Sequence, residues 1–334
     1  VHYPYRTSSE MMYLCGWEDP EAVFCAFNEE GEWKSLLFVQ PKDLLKEIWE
    51  GRRPGVEGAV KDWPIDIAYP HDELEDNLSQ LLVQCSRVFV KLGVDENVDS
   101  LVEHEMKRNS RARQKFGTGP VSIVDPSSQI NELRLRKSDG EIAIMRHSAK
   151  IASQAHIQAM ANTKPGVGEW QLEGIIEGVF KYCRTSGIAY PCIIGSGDNA
   201  TVLHYTVNDD TCEEGEVLLI DAGCEYNGYA SDITRSWPVN GKFSEAQTEI
   251  YQIVLKSQIA AIDECRVGNS YDAPHIAARR VLAEGLIELG VIKQDLDEAL
   301  SADGELNTWY MHNTGHWLGL DVHDVGIYRP DGEA

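Results

Sequence analysis

Apolar and polar positions alternate in short blocks through the first 131 residues. "AVFCAFNEEGEWKSLLFV" reads as two strands around a polar turn at Asn28–Gly31. "KDLLKEIWEGRRPG" predicts a helix that stops at Gly51, and "HDELEDNLSQLLVQCSRVFVKLG" predicts an acidic-capped helix running into a strand. A longer period then sets in. Ser138 opens an amphipathic helix to about Ala161, with Glu141 three residues on as in a capping box. "KPGVG" breaks it, and a second helix runs from Glu169 to about Arg184. Strand-like runs follow: "AYPCIIGSG", "TVLHYTV", "EVLLIDAG" and "YASDITRSW". Two more helices are predicted at about Glu245–Cys265 and Asp272–Leu289, and the last segment, "MHNTGHWLGLDVHDVG", is strand-like again. This order predicts an α+β protein: an α/β domain over 1–131, then a domain over 132–334 with helices in blocks and mostly consecutive antiparallel strands.

A chain of 334 residues, 43% hydrophobic and 25% charged, has apolar material for a sizeable core. Its formal net charge of -24 argues against nucleic acid or an anionic membrane as partner, since both want a basic face. No apolar run reaches membrane-spanning length. The eight cysteines are sparse and none forms a C-x-x-C pair, so they read as reduced thiols of a cytoplasmic protein. The chain opens on Val1 and ends on "YRPDGEA", which reads as a fragment; an organellar leader is compatible with that reading.

Candidate chemistry starts at "LLIDAGCEYNGYASDITRSWP". Asp221 ends an apolar strand and Asp232 follows an Asn-Gly turn. A two-residue loop at Tyr226–Asn227 places Asp221 opposite Asp232. A loop at Asn227–Gly228 places it opposite Thr234, with Asp232 on the diagonal. Either register puts both carboxylates on one face, because strand side chains alternate with period two. Two carboxylates converging within apolar strands call for a cation. Such ligands suit Mn²⁺, and Zn²⁺ or Co²⁺ when a histidine joins.

His312, His316 and His323 fall in one glycine-rich stretch. "HNTGH" has i, i+4 spacing, but it lacks the glutamate of H-E-x-x-H and Gly315 opposes a helix. With the two aspartates, the three histidines point to a site. His204 lies in a run that reads as a strand, before a polar turn. His147, His156 and His275 read as structural, and Cys224 as a packing residue. "GSGDNA" fails the dinucleotide context because a strand, not a helix, is expected after it.

"LLIDAGCEYNGYASDITRSWPVNGKFSEAQTEIYQIVL", "HNTGHWLGLDVHDVG" and "GSGDNATVLHYT" together resemble the metallopeptidases of pita-bread fold, and among them the Xaa-Pro aminopeptidases (aminopeptidase P), with prolidase a near relative. "YPYRTSSEMMYLCGWEDPEAV" and "EIWEGRRPG" are similar to the amino-terminal domain of aminopeptidase P. The resemblance implies a truncated pita-bread catalytic domain and two divalent ions, Mn²⁺ first. It implies Asp221, Asp232 and His316 as metal ligands, with Asp232 bridging. It implies His204, His312 and His323 at the substrate, His323 on the scissile carbonyl and His204 on the proline side. It further implies peptides with proline second as substrates, and a homo-oligomer in which Trp49 nears a neighbouring subunit's site. Two glutamate ligands of the family are expected beyond Ala334; Glu305 and Glu333 do not sit in their motifs. The alternatives are an Xaa-Pro dipeptidase and a non-catalytic binding module of the same fold.

Overall fold

The computed structural model describes residues 5–328, so Glu333 lies outside the described residues. The chain divides into two compact units, 1–136 and 137–334.

In the first unit, α1 (Ser9–Cys15) precedes the hairpin of β1 (Val23–Glu29) and β2 (Glu32–Val39). Glu30 and Gly31 both take positive φ, the two-residue turn whose twist matches its strands. Next come α2 (Leu44–Glu50), α3 (Gly55–Asp62) and β3 (Ile67–Pro70), which pairs parallel to β2. Then α4 (Leu74–Gln84), β4 (Arg87–Phe89), α5 (Glu96–Phe116), β5 (Ser122–Val124) and α6 (Ser127–Leu135) close the unit, β4 and β5 pairing in parallel. Leu36 to Val39 are all buried, because β2 is covered on both faces. Leu37 and Val39 pack with Trp17, Ala59 and Ile65, whereas Leu36 and Phe38 pack with Leu74, Leu78 and Leu82.

The second unit opens with α7 (Asp139–Asn162), capped by the reciprocal Ser138–Glu141 box. It packs Ile151, Ala152, Ala155 and Ala159 against Leu172, Ile176 and Phe180 of α8 (Glu169–Tyr182). Beneath lie two small antiparallel sheets. One contains β6 (Gly187–Ile188), β9 (Cys224–Tyr226) and β10 (Tyr229–Ala230); the other contains β7 (Ile193–Ser196), β8 (Val217–Asp221) and β11 (Thr234–Pro238). The long helices α9 (Glu245–Glu264) and α10 (Ala273–Glu288) pack against each other, and the short α11 (Leu296–Ala299) and α12 (Leu306–Trp309) follow.

Two expected strands do not form. Residues 197–201 make a 3-10 turn and 202–207 follow as irregular chain, so His204 sits on a loop. Within it the Tyr205 hydroxyl is held by the Glu169 and Asn199 side chains. Residues 311–328 are also irregular despite their alternation. Gly315 adopts φ +79°, and a side chain at Gly319 would meet the Asp324 carboxylate at 2.2 Å. The segment is held instead by Tyr271, whose ring packs on Trp317 and Tyr328 and whose hydroxyl donates to the Gly315 carbonyl at 2.9 Å.

Candidate metal centre

The hairpin settles on the Asn227–Gly228 turn. Both residues have positive φ, and Tyr229 pairs with Tyr226. The same register sets Asp221 opposite Thr234 on β11, while Ile193 of β7 flanks it on the other side. Carried on, it sets Asp232 opposite Gly223, where the ladder is interrupted. A side chain at Gly223 would lie 1.7 Å from the Ser231 carbonyl oxygen, so only glycine allows the two chains to approach there. Asp221 and Asp232 are thus diagonal neighbours on one face.

The Tyr190 hydroxyl meets both, at 2.5 Å from Asp221 Oδ1 and 3.0 Å from Asp232 Oδ1. One hydroxyl proton can serve only one of them at a time. Burial pushes the Asp221 carboxyl above its usual range; the Tyr190 hydrogen bond opposes that rise and the Asp232 charge adds to it. Burial, reinforced by the same two carboxylates, holds the Tyr190 hydroxyl protonated. His316 completes the group: Nε2 lies 3.1 Å from Asp232 Oδ2, and Nδ1 lies 2.9 Å from the Trp317 carbonyl oxygen. A carbonyl only accepts, so Nδ1 carries the proton. In the neutral ring the Nε2 lone pair then faces a carboxylate oxygen, an arrangement that requires a further proton or a cation between them. Among the described residues no lysine or arginine forms an ion pair with either aspartate. Two carboxylates and an imidazole are donor types that suit a divalent cation, although among the described residues the ligand atoms that all lie within 4.8 Å of one another are those of Glu173, Glu177 and Cys192.

A cavity of about 480 Å³ opens beside this group. Asp221, Asp232, His204 and His323 line it with Tyr190, Pro191, Ile193, Thr206 and Val322. His323 packs on His316 at 4.2 Å between ring centroids. Asp324, next to His323, is buried and ion-paired with Lys137 at 2.7 Å, which anchors that end of the segment. His312 stands apart: it lines a second cavity with His275, Arg279, Asn307 and Tyr310. Cys224 is fully buried between Ser148 and Ser231 as a packing residue. His147 packs on Tyr226, and His156 is buried with Nδ1 against the Ala152 carbonyl. Tyr190 is absent from the residues that the sequence singles out, because a tyrosine within "AYPCIIGSG" reads as part of an apolar run.

A model of metallopeptidase family M24 matches residues 143–333, and one of the aminopeptidase P N-terminal domain matches residues 1–89. The chain belongs to metallopeptidase family M24. It is a metal-dependent aminopeptidase carrying the N-terminal domain of aminopeptidase P. It is 39% identical to the Xaa-Pro aminopeptidase of Escherichia coli, over 98% of this chain and 75% of that protein. It is 34% identical to the mitochondrial intermediate cleaving peptidase 55 of Arabidopsis thaliana, over 99% of this chain and 64% of that one. Among solved structures, zinc-substituted E. coli aminopeptidase P with product superposes at a TM-score of 0.92, covering 98% of this chain and 74% of that one. An aminopeptidase from Pseudomonas aeruginosa, 38% identical, also superposes at 0.92 over 100% of this chain and 75% of that one. Family membership thus bears out the expected pita-bread architecture and metallo-aminopeptidase class.

Proposed function

We propose that the protein removes the first residue from peptides with proline in second position. The contact of His316 with Asp232, beside a cavity that Asp221 and Asp232 line, carries this reading, in a chain with an aminopeptidase P N-terminal domain. These three side chains would hold divalent metal, with Mn²⁺ the proposed ion. When bound, such ions supply Lewis acidity toward a carbonyl and acidify water. The chain's own residues do the rest. Tyr190 orients both carboxylates, and the Trp317 carbonyl fixes the His316 tautomer, as metal sites require of their outer partners. His323, exposed beside His316, donates to the scissile carbonyl as negative charge develops there. His204 lines the far wall and positions the proline side. His312, at the second cavity, takes no step in this scheme.

We further propose a homo-oligomer. Helix α2 presents Leu44, Leu45, Ile48 and Trp49 to solvent, the last 88% exposed, and a second copy would cover them. A cytoplasmic location is proposed on the eight free cysteines. Among the described residues no helix is long and apolar enough to cross a membrane.

The test uses protein expressed from its complete reading frame, incubated with an Xaa-Pro-Xaa tripeptide. Mn²⁺-dependent release of the first residue supports the reading. Cleavage of Xaa-Pro dipeptides alone would make it a dipeptidase, and metal binding without turnover of either would make it a binding module.

A further inference from the structure

The loop that carries His204 and Thr206 into the cavity has no strand partner, and the His204 ring itself is exposed. Its placement must come from elsewhere. Glu169, the first residue of α8, has 0% of its surface exposed. Both of its carboxylate oxygens turn toward this loop. Oε1 accepts from the Ser196 amide at 2.8 Å and the Asn199 side chain at 3.3 Å. Oε2 accepts from the Tyr205 hydroxyl at 2.8 Å and the Asp210 amide at 3.0 Å. The Glu169 amide donates back to the Asp210 carbonyl at 2.9 Å. Four donors fill the four acceptor directions of one carboxylate. Among the described residues no lysine or arginine forms an ion pair with it; the N-terminus of α8 and these donors stabilise the charge.

Asn208 makes a second attachment. Held at φ +51°, it accepts from the Ile194 amide at 3.0 Å and donates to the Cys192 carbonyl at 2.9 Å. Glu169 and Asn208 therefore fix the loop before, beside and after His204. Tyr205, the direct neighbour of His204, is bound to Glu169 itself. The acceptor also gives a direction that apolar packing cannot give: each donor must point at a fixed oxygen.

We propose that Glu169 is the positioning residue for His204, setting the loop on which the proline-side wall of the cavity is built. Its catalytic consequence rests on the aminopeptidase reading; its positional consequence does not. Glu169→Gln keeps the shape, but presents an NH₂ where the Asp210 amide or the Ser196 amide needs an acceptor. The first readout is a histidine-labelled NMR spectrum, with the His204 signal assigned by its loss in His204→Ala. In Glu169→Gln the His204 signal is expected to shift or broaden while those of His147 and His275 stay in place. An unmoved His204 signal overturns the proposal. Should the exchange disturb every histidine, Tyr205→Phe removes a single donor and must still move His204 selectively, or the proposal falls. The second readout is kcat/KM in a double-mutant cycle. Glu169→Gln is expected to cost about 10-fold with His204 present and much less in a His204→Ala background. Equal costs in both backgrounds overturn action through His204. A His204→Ala variant with unchanged turnover would instead count against the proposed role of His204, and leaves the spectral test of Glu169 intact.

Discussion

His316 Nε2 lies 3.1 Å from Asp232 Oδ2, two atoms brought together across 84 residues of chain. With Nδ1 committed to the Trp317 carbonyl, the contact is lone pair to carboxylate unless a cation or a second proton lies there. Replacing His316 by alanine removes a donor nitrogen outright. Loss of an outer partner costs roughly 10–100-fold in metal affinity, so loss of this nitrogen is expected to cost at least about 100-fold. Titration calorimetry with Mn²⁺ on the wild type and His316→Ala checks it. Equal affinities would remove His316 from the ligand set.

Tyr190→Phe tests the bridge between the aspartates. The hydroxyl of this half-buried side chain contacts both Asp221 and Asp232. Its removal is expected to weaken Mn²⁺ binding by about 10–100-fold while the fold persists. Mn²⁺ affinity and the far-ultraviolet circular dichroism spectrum, measured together, separate a tuned site from a collapsed one.

Lys137 and Asp324 form an ion pair whose side chains are 12% and 1% exposed. Lys137→Met removes this ion pair from the buried Asp324 carboxylate beside Gly319. A loss of about 3–5 kcal/mol is expected. Urea denaturation reads it, and the added replacement Asp324→Asn should recover part of the loss by removing the buried charge.

His275 supplies a pH dependence. Burial, then the Arg279 charge, lower its pKa, and Asp272 opposes them; Tyr310 and Thr314 are its other close neighbours. Its Nδ1 accepts from the Thr314 amide, which a protonated ring nitrogen could not do. The unfolded chain therefore takes up this proton more readily than the folded one. The stability involved is fully present above the unfolded histidine pKa of about 6.5 and is lost as pH falls from there toward the lower folded value. His275→Gln should flatten the thermal midpoint across that window. An unchanged slope would count against it.

The local pattern reads well from sequence where neighbours in the chain decide the structure. The Ser138–Glu141 box and the shared face of Asp221 and Asp232 are of this kind, and the Asn227–Gly228 turn is one of the two registers that the sequence allows. The segments around His204 and His316 alternate like strands yet are irregular, because alternation signals a strand only when a partner edge is present. The loop of His204 instead answers to Glu169, some 35 residues earlier, through contacts that no periodicity encodes. Nothing local marks Tyr190, for the same reason: its partners lie 31 and 42 residues away. The sequence groups His312 with its neighbours, but His312 lines a different cavity.

The Asn227–Gly228 turn has a genetic corollary. Asp221 and Asp232 share a face because the chain between them folds back on a turn of fixed length. A codon gained or lost there would swing one aspartate to the far side of the hairpin, unless a bulge absorbed it. Length variation between the two carboxylates should therefore survive only in steps of two residues. Beside Asp232 the chain also holds Gly223 as glycine, because any side chain there would meet the Ser231 carbonyl oxygen. The spacing of the pair is inherited as a unit.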